Sequence, residues 1–86
     1  MPGLPRRQVI RERNFERDLT ALIGDARAAD DFVEAADFVL ARDPLAGQPL
    51  ASPVWALPMP LVGSEQIVLY YAFDDSTVWL LSIARV

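Results

Sequence analysis

Residues 67–85, IVLYYAFDDSTVWLLSIAR, decide the fold of this chain. Residues 67–73 are apolar on both faces, which predicts a strand at the centre of a sheet, and residues 77–85 predict a second strand. The short acidic segment 74–76 between them is typical of a tight turn. The C-terminal end of the chain therefore predicts a β-hairpin.

A further strand is predicted just before this hairpin. Residues 54–61, VWALPMPL, include Pro58 and Pro60, and each proline removes one N–H group from a sheet ladder. Because residues two apart direct their N–H groups to the same side, both losses fall on one edge. The pattern predicts an edge strand whose outer side is blocked by proline and which turns at 63–65 into the hairpin.

Two helices are predicted upstream of these strands. Residues 15–23 carry apolar side chains at helical spacing, which predicts a short helix with Asn14 as N-cap and Gly24 in the left-handed position after its end. A second apolar stripe begins after Asp25 and stops at Pro44. The second helix is therefore the longer of the two. Its stripe consists of Ala29, Phe32, Val33, Ala36, Val39 and Leu40.

The remaining segments complete a single domain over residues 1–86. Residues 8–13 predict a half-covered first strand, residues 43–53 a connecting loop with three prolines, and residues 1–7 a flexible arm. The predicted class is α+β, in the order strand, helix, helix and three strands. We expect an antiparallel C-terminal meander with the two-helix hairpin on one sheet face.

The composition excludes several kinds of site. The chain has no Cys, no His and no lysine, since all 8 of its basic residues are arginines. Zinc fingers, iron–sulfur clusters and imidazole catalysis are therefore excluded, and we expect no metal and no cofactor. The lack of disulfides favours a cytoplasmic protein. No segment resembles a signal peptide or is long enough to span a bilayer, so we expect no membrane partner.

The charge distribution and the apolar content of the chain indicate which kinds of partner it can bind. Residues 1–17 carry five arginines against two glutamates, a net charge of +3, whereas residues 18–86 have a net charge of −7. Any contact with nucleic acid must therefore use a local arginine patch, for which Arg11 and Arg13 are the candidates. The alternative for them is a solvated surface. With 52% hydrophobic residues in so short a chain, we expect some apolar surface to be left for a partner.

The order of elements, with three local patterns, resembles the RelE/ParE family of bacterial toxins. The patterns are FERDL at 15–19, Asp43-Pro44 followed by Gly47 and Leu50, and IVLYY at 67–71 before TVWLLSI at 77–83. The resemblance implies the RelE/ParE-like fold and the toxin of a type II toxin–antitoxin module. It also implies a cognate antitoxin that holds the toxin inactive, and a target that is either DNA gyrase or the ribosome with its mRNA.

Catalysis is where the sequence departs from the family. The resemblance implies that RNA-cleaving members use a cluster of Arg and Lys on their later strands, but residues 54–61 carry no basic residue here. Arg85 alone stands where a family arginine is expected, and it is the catalytic candidate, with a solvated strand-end arginine as the alternative. RNA cleavage needs a base, an acid and cations for the phosphorane, so one arginine predicts reduced or absent activity. Any enzyme activity would be that of a ribosome-dependent mRNA endoribonuclease.

Aromatic residues are the other binding candidates. Tyr70 and Tyr71 are adjacent in a strand and so point to opposite faces, which leaves one to the core and one to stack on a base or a partner side chain. Core or sheet packing is the alternative for both. Trp55, on the predicted edge strand, is an interface candidate, with packing as its alternative. Two functions stay open: a toxin that binds antitoxin and target, and a non-catalytic interaction domain, such as a degenerate toxin or a homodimer.

Overall fold

Five strands and two α-helices build the part of the chain that the computed structural model describes, residues 6–60 and 66–86. The α+β class and the predicted order are confirmed, with one strand more than the sequence indicated. The elements are β1 (Gln8–Arg11), α1 (Arg13–Leu22), α2 (Ala26–Arg42), a 3-10 turn (Pro44–Ala46), β2 (Gln48–Ala51), β3 (Val54–Pro60), β4 (Gln66–Phe73) and β5 (Thr77–Arg85).

The strands form one sheet in the order β1-β5-β4-β3-β2. The predicted antiparallel meander is present as β3, β4 and β5. The first strand pairs in parallel with the last, with Gln8 opposite Thr77 and Arg11 opposite Leu80. Parallel neighbours need a crossover connection. Here α1 and α2 begin that connection, and both pack on the same face of the sheet.

The additional strand, β2, lies in the segment 43–53 that we predicted as a loop. It is short, it contains Pro49, and it pairs only with residues 54–56 of β3. The edge position predicted for β3 is therefore wrong for its first half. For residues 57–60 no described strand pairs on the outer side, so Pro58 and Pro60 lie on the edge where prolines are tolerated.

Two of the predicted helix signals of α1 are wrong. The helix begins at Arg13 with Glu12 as N-cap, because the Glu12 amide donates to the Leu80 carbonyl (3.0 Å) and so ends β1 directly before the helix. Asn14 instead accepts a hydrogen bond from Arg17 (2.8 Å). Gly24 follows the C-cap but lies outside the left-handed region. The boundaries of α2 agree with the prediction.

Asp25 caps α2, its carboxylate accepting from the Ala28 amide (3.2 Å). The core lies between the helices and one face of the sheet, here called the covered face, and the opposite face is called the open face. Strand alternation assigns Tyr71 to the covered face and Tyr70 to the open face. The largest fully buried side chains are Tyr71, Phe15, Leu40, Ile67, Leu69, Leu80 and Val78.

The turn predicted at 74–76 is present. The Asp74 carboxylate accepts from the amides of Ser76 (2.9 Å) and Thr77 (2.8 Å), and these bonds lower its pKa. The turn predicted at 63–65, and residues 1–5 of the expected arm, lie outside the described residues. Arg7, at the end of that arm, is held by a bond from its amide to the Ala41 carbonyl (2.9 Å). Within the described residues, no helix is long and apolar enough to cross a membrane.

Candidate functional site

Tyr71, one of the predicted binding residues, lies inside the core. Its side chain is fully buried, and its hydroxyl donates to the Pro44 carbonyl and accepts from the Gly47 amide (3.1 Å). Gly47 approaches so closely that an added Cβ would stand 2.5 Å from both the Ala56 carbonyl oxygen and the Tyr71 hydroxyl. The hydrogen bond and close packing between Tyr71 and Gly47 therefore hold the segment between α2 and β2 in place. Burial raises the pKa of Tyr71.

Trp55 extends this buried cluster on the covered face. It lies opposite Tyr71 in the β3–β4 register, with ring centroids 6.4 Å apart, and meets the Phe73 ring edge-on at 5.3 Å. Trp55 is only half-buried, so part of its ring remains accessible beside the sheet. The structure thus brings two of the predicted binding residues together, with Tyr71 unavailable to a ligand.

Tyr70 lies at the centre of the open face. The strand register arranges the side chains of this face in rows that run across the sheet from β5 or β1 toward β3. The rows are Ile10, Trp79 and Ala72; Ser82, Tyr70 and Ala56; and Ala84, Val68 and Pro58. None of these residues carries a formal charge. Aromatic and aliphatic groups with two hydroxyls suit a protein surface better than a phosphate backbone.

The arginines of the described strands do not join this face. Arg11 lies opposite Leu80 and Arg85 opposite Ile67, and both of these partners belong to the covered face. Arg85 pairs with Ile67 and Leu80 pairs with Tyr71, four positions apart on β4, so Arg11 and Arg85 stand about 13 Å apart along the strand direction. Arg85 is exposed at the end of the sheet. The structure therefore does not bring Arg85 together with Arg11.

A second group of charges lies where β1 meets the helices. The Arg11 guanidinium contacts the Glu16 carboxylate at 3.5 Å, with both side chains about half exposed, while Arg13 is exposed at the start of α1. Asp37 of α2 has one carboxylate oxygen that is buried without a hydrogen-bond partner among the described residues. Burial raises the pKa of Asp37, and the charge of Arg11 partly opposes this.

Sequence reasoning missed Asp37 and Phe38. Asp37 flanks the apolar stripe of α2, four positions after Val33 and three before Leu40, and this spacing is the signal that could have identified its partial burial. Phe38 is off the stripe, and a large aromatic residue at such a position is a signal that would have identified it as exposed. It is 61% exposed, and the Arg42 guanidinium lies 3.9 Å from its ring centroid.

The fold resembles that of a solved protein along its whole length. One chain of the crystal structure of the toxin–antitoxin complex RelBE2 from Mycobacterium tuberculosis matches with a TM-score of 0.77 and 25% sequence identity. The match covers 100% of this chain and 98% of that one. By sequence, no protein-family profile and no curated protein matches. The resemblance to RelE/ParE toxins is thus confirmed by the structure: the chain has a RelE-like toxin fold, with two helices on a five-stranded sheet.

Proposed function

We propose that this chain is the toxin component of a bacterial type II toxin–antitoxin module and that it acts by binding. The observation that carries the proposal is the full-length match to a chain of a toxin–antitoxin complex. An antitoxin is accordingly its proposed partner. The proposed location is the cytoplasm, where both candidate targets, DNA gyrase and the ribosome, are found.

The open face supports binding over RNA cleavage. A phosphorane is stabilised by cations placed around it, and removal of one such donor costs about 10²-fold or more in rate. The residues of the open-face rows are uncharged, and Arg85 lies on the covered-face side, separated from Arg11 along the strand direction. We therefore propose that ribonuclease activity is weak or absent. A gyrase poison needs no such cluster, which makes gyrase the favoured target.

Tyr70 and Trp79 are the residues proposed to contact the target. Both are aromatic, and Tyr70 presents a hydroxyl beside Ser82 and Ala56. Tyrosine and tryptophan bury large areas at low entropic cost and are enriched among residues that dominate binding energy. Half-exposed rings on two inner strands of the sheet, β4 and β5, are well suited to this role.

The experiment is induction of the chain alone in a bacterial host, with growth as the readout. We expect growth arrest that is relieved by co-expression of the neighbouring reading frame. Filamentation with DNA-damage signalling would identify gyrase as the target, and rapid loss of translation with cleaved mRNA would identify the ribosome. The Tyr70→Ser variant is expected to lose most of the toxicity, while Arg85→Ala, at a register position of the covered face, is expected to retain it.

The alternative is a non-catalytic interaction domain on the same fold, including a homodimer. The uncharged open face suits this function as well, because sheet faces of this chemistry pack against protein. Growth that stays normal on induction, with soluble folded chain present in the cells, would reject the toxin and leave this alternative. Sedimentation over a range of concentrations then tests for a dimer.

A further inference from the structure

The outer surface of α2 carries a hollow that the fold leaves empty. It has a volume of 320 Å³ and lies on the side of the helix away from the core. Four of its residues stand at positions i, i+3, i+4 and i+7 of the helix, the arrangement that receives one side chain of a facing helix in knobs-into-holes packing. The residues that form it are Asp31, Glu34, Ala35, Phe38 and Val39.

The hollow has an apolar floor and one aromatic wall. Ala35 contributes only a methyl group at its centre, and Phe38 stands beside it with 61% of its surface exposed. The Arg42 side chain lies on the Phe38 ring and donates to the Phe38 carbonyl (3.0 Å). An exposed phenylalanine held in place by its own helix loses little conformational freedom when a partner covers it.

The other side of the hollow is acidic. Asp31 and Glu34 line it directly, and Asp30 is exposed one position earlier. The whole chain has a net charge of −4, so its long-range field also favours a cationic partner. A partner that fits must combine an apolar side chain for the hollow with cationic side chains for its acidic side.

We propose that the outer surface of α2 binds an amphipathic α-helix of the antitoxin, with an apolar side chain of that helix in the Ala35 hollow and its Arg or Lys side chains beside Asp31 and Glu34. An amphipathic helix is the occupant because a hollow with i, i+3, i+4, i+7 walls on one helix fits the side-chain spacing of another helix. That the helix belongs to an antitoxin rests on the proposed function.

The first test uses a synthetic helical peptide of about 20 residues. It carries leucine at heptad positions and arginine on the flanking positions, and its control carries glutamate in place of arginine. We expect calorimetry to detect binding of the arginine peptide that weakens as salt is raised, and no binding of the glutamate peptide. Equal binding of both peptides, or binding of neither, would overturn the proposal.

Two pairs of variants locate the binding surface. Ala35→Arg fills the hollow, and Ala21→Arg makes the same change at an exposed position of α1. We expect the first to weaken peptide binding about tenfold or more and the second to change it by about twofold at most. Phe38→Ala is expected to weaken it similarly, whereas Leu45→Ala, which truncates a side chain of matched exposure (64%), is not. If the two variants of either pair weaken peptide binding equally, the peptide does not bind at the Ala35 hollow.

The second test uses the protein encoded by the neighbouring reading frame. Its complex with the full chain is expected to weaken about tenfold with Ala35→Arg and to be unaffected by Ala21→Arg. If neither substitution changes the affinity of this complex, the inference is wrong and the proposed function is unaffected. Induction without growth arrest, combined with hollow-dependent binding of the arginine peptide, would instead reject the proposed function and keep the helix-binding surface.

Discussion

The two faces of the sheet show how neighbouring residues acquire different roles. Tyr70 and Tyr71 are adjacent and chemically identical, yet Tyr71 is fully buried with two hydrogen bonds, whereas Tyr70 stands half-exposed among uncharged neighbours. Alternation of side chains along a strand creates this difference. Side chains of the covered face form the core and so contribute most to folding stability. Side chains of the open face contribute less to stability and are available to contact another molecule.

The largest contrast is expected from truncating one aliphatic side chain on each face. Leu69 is fully buried on the covered face, so Leu69→Ala is expected to lower the free energy of unfolding by about 2–5 kcal/mol. Val68 is half-buried on the open face, and Val68→Ala is expected to cost about 1 kcal/mol or less. Urea unfolding of the two variants measures the difference.

Equal costs for these two substitutions would contradict the contrast between the faces. They would mean that Val68 is buried in solution, which requires that another chain covers the open face. In that case the unfolding midpoint of the wild-type chain would rise with protein concentration.

A smaller contrast is expected from removing each tyrosine hydroxyl. Tyr71→Phe leaves the Pro44 carbonyl and the Gly47 amide without their partner, and loss of partners for buried polar groups costs about 1–3 kcal/mol. Tyr70→Phe is expected to change stability by about 0.5 kcal/mol at most. Thermal or urea unfolding tests both, and a cost for Tyr70→Phe as large as that for Tyr71→Phe would show that its hydroxyl has a partner in solution.

Much of the fold follows from local patterns that do not depend on the rest of the chain. The hairpin at 67–85 was predictable because alternation, a turn and chain proximity all act within a few residues. The apolar stripe of α2 was predictable for the same reason. The family resemblance, given by the joint order of these elements, agrees with the full-length structural match.

The failures arise where a distant partner decides the outcome. Glu12 rather than Asn14 caps α1 because Leu80, far along the chain, accepts the Glu12 amide and ends β1 there. β2 was missed because its strand character comes from pairing with β3 and not from residues 48–51 themselves. The separation of Arg11 from Arg85 also depends on the parallel register of β1 with β5, which no local pattern encodes.

The smallest expected effect concerns the partly buried carboxylate of Asp37, which contrasts with the buried hydroxyl of Tyr71. The Tyr71 hydroxyl has two partners, whereas one Asp37 oxygen is buried with none among the described residues. Burial raises the pKa of Asp37 above its ordinary value of 3.8. The folded state therefore holds this proton more tightly than the unfolded chain does, so the contribution of Asp37 to stability is greatest below pH 3.8 and is lost as pH rises through the raised pKa.

Asp37→Asn tests this directly because an amide does not titrate. We expect the variant to gain stability relative to the wild-type chain as pH rises from about 4 toward neutrality, and the gain to vanish in acid. Since the charge of Arg11 lowers the pKa of Asp37, Arg11→Met is expected to enlarge the gain, which a double-mutant cycle measured at several pH values isolates. A stability difference that is independent of pH would mean that Asp37 is as well solvated in the folded chain as in the unfolded one.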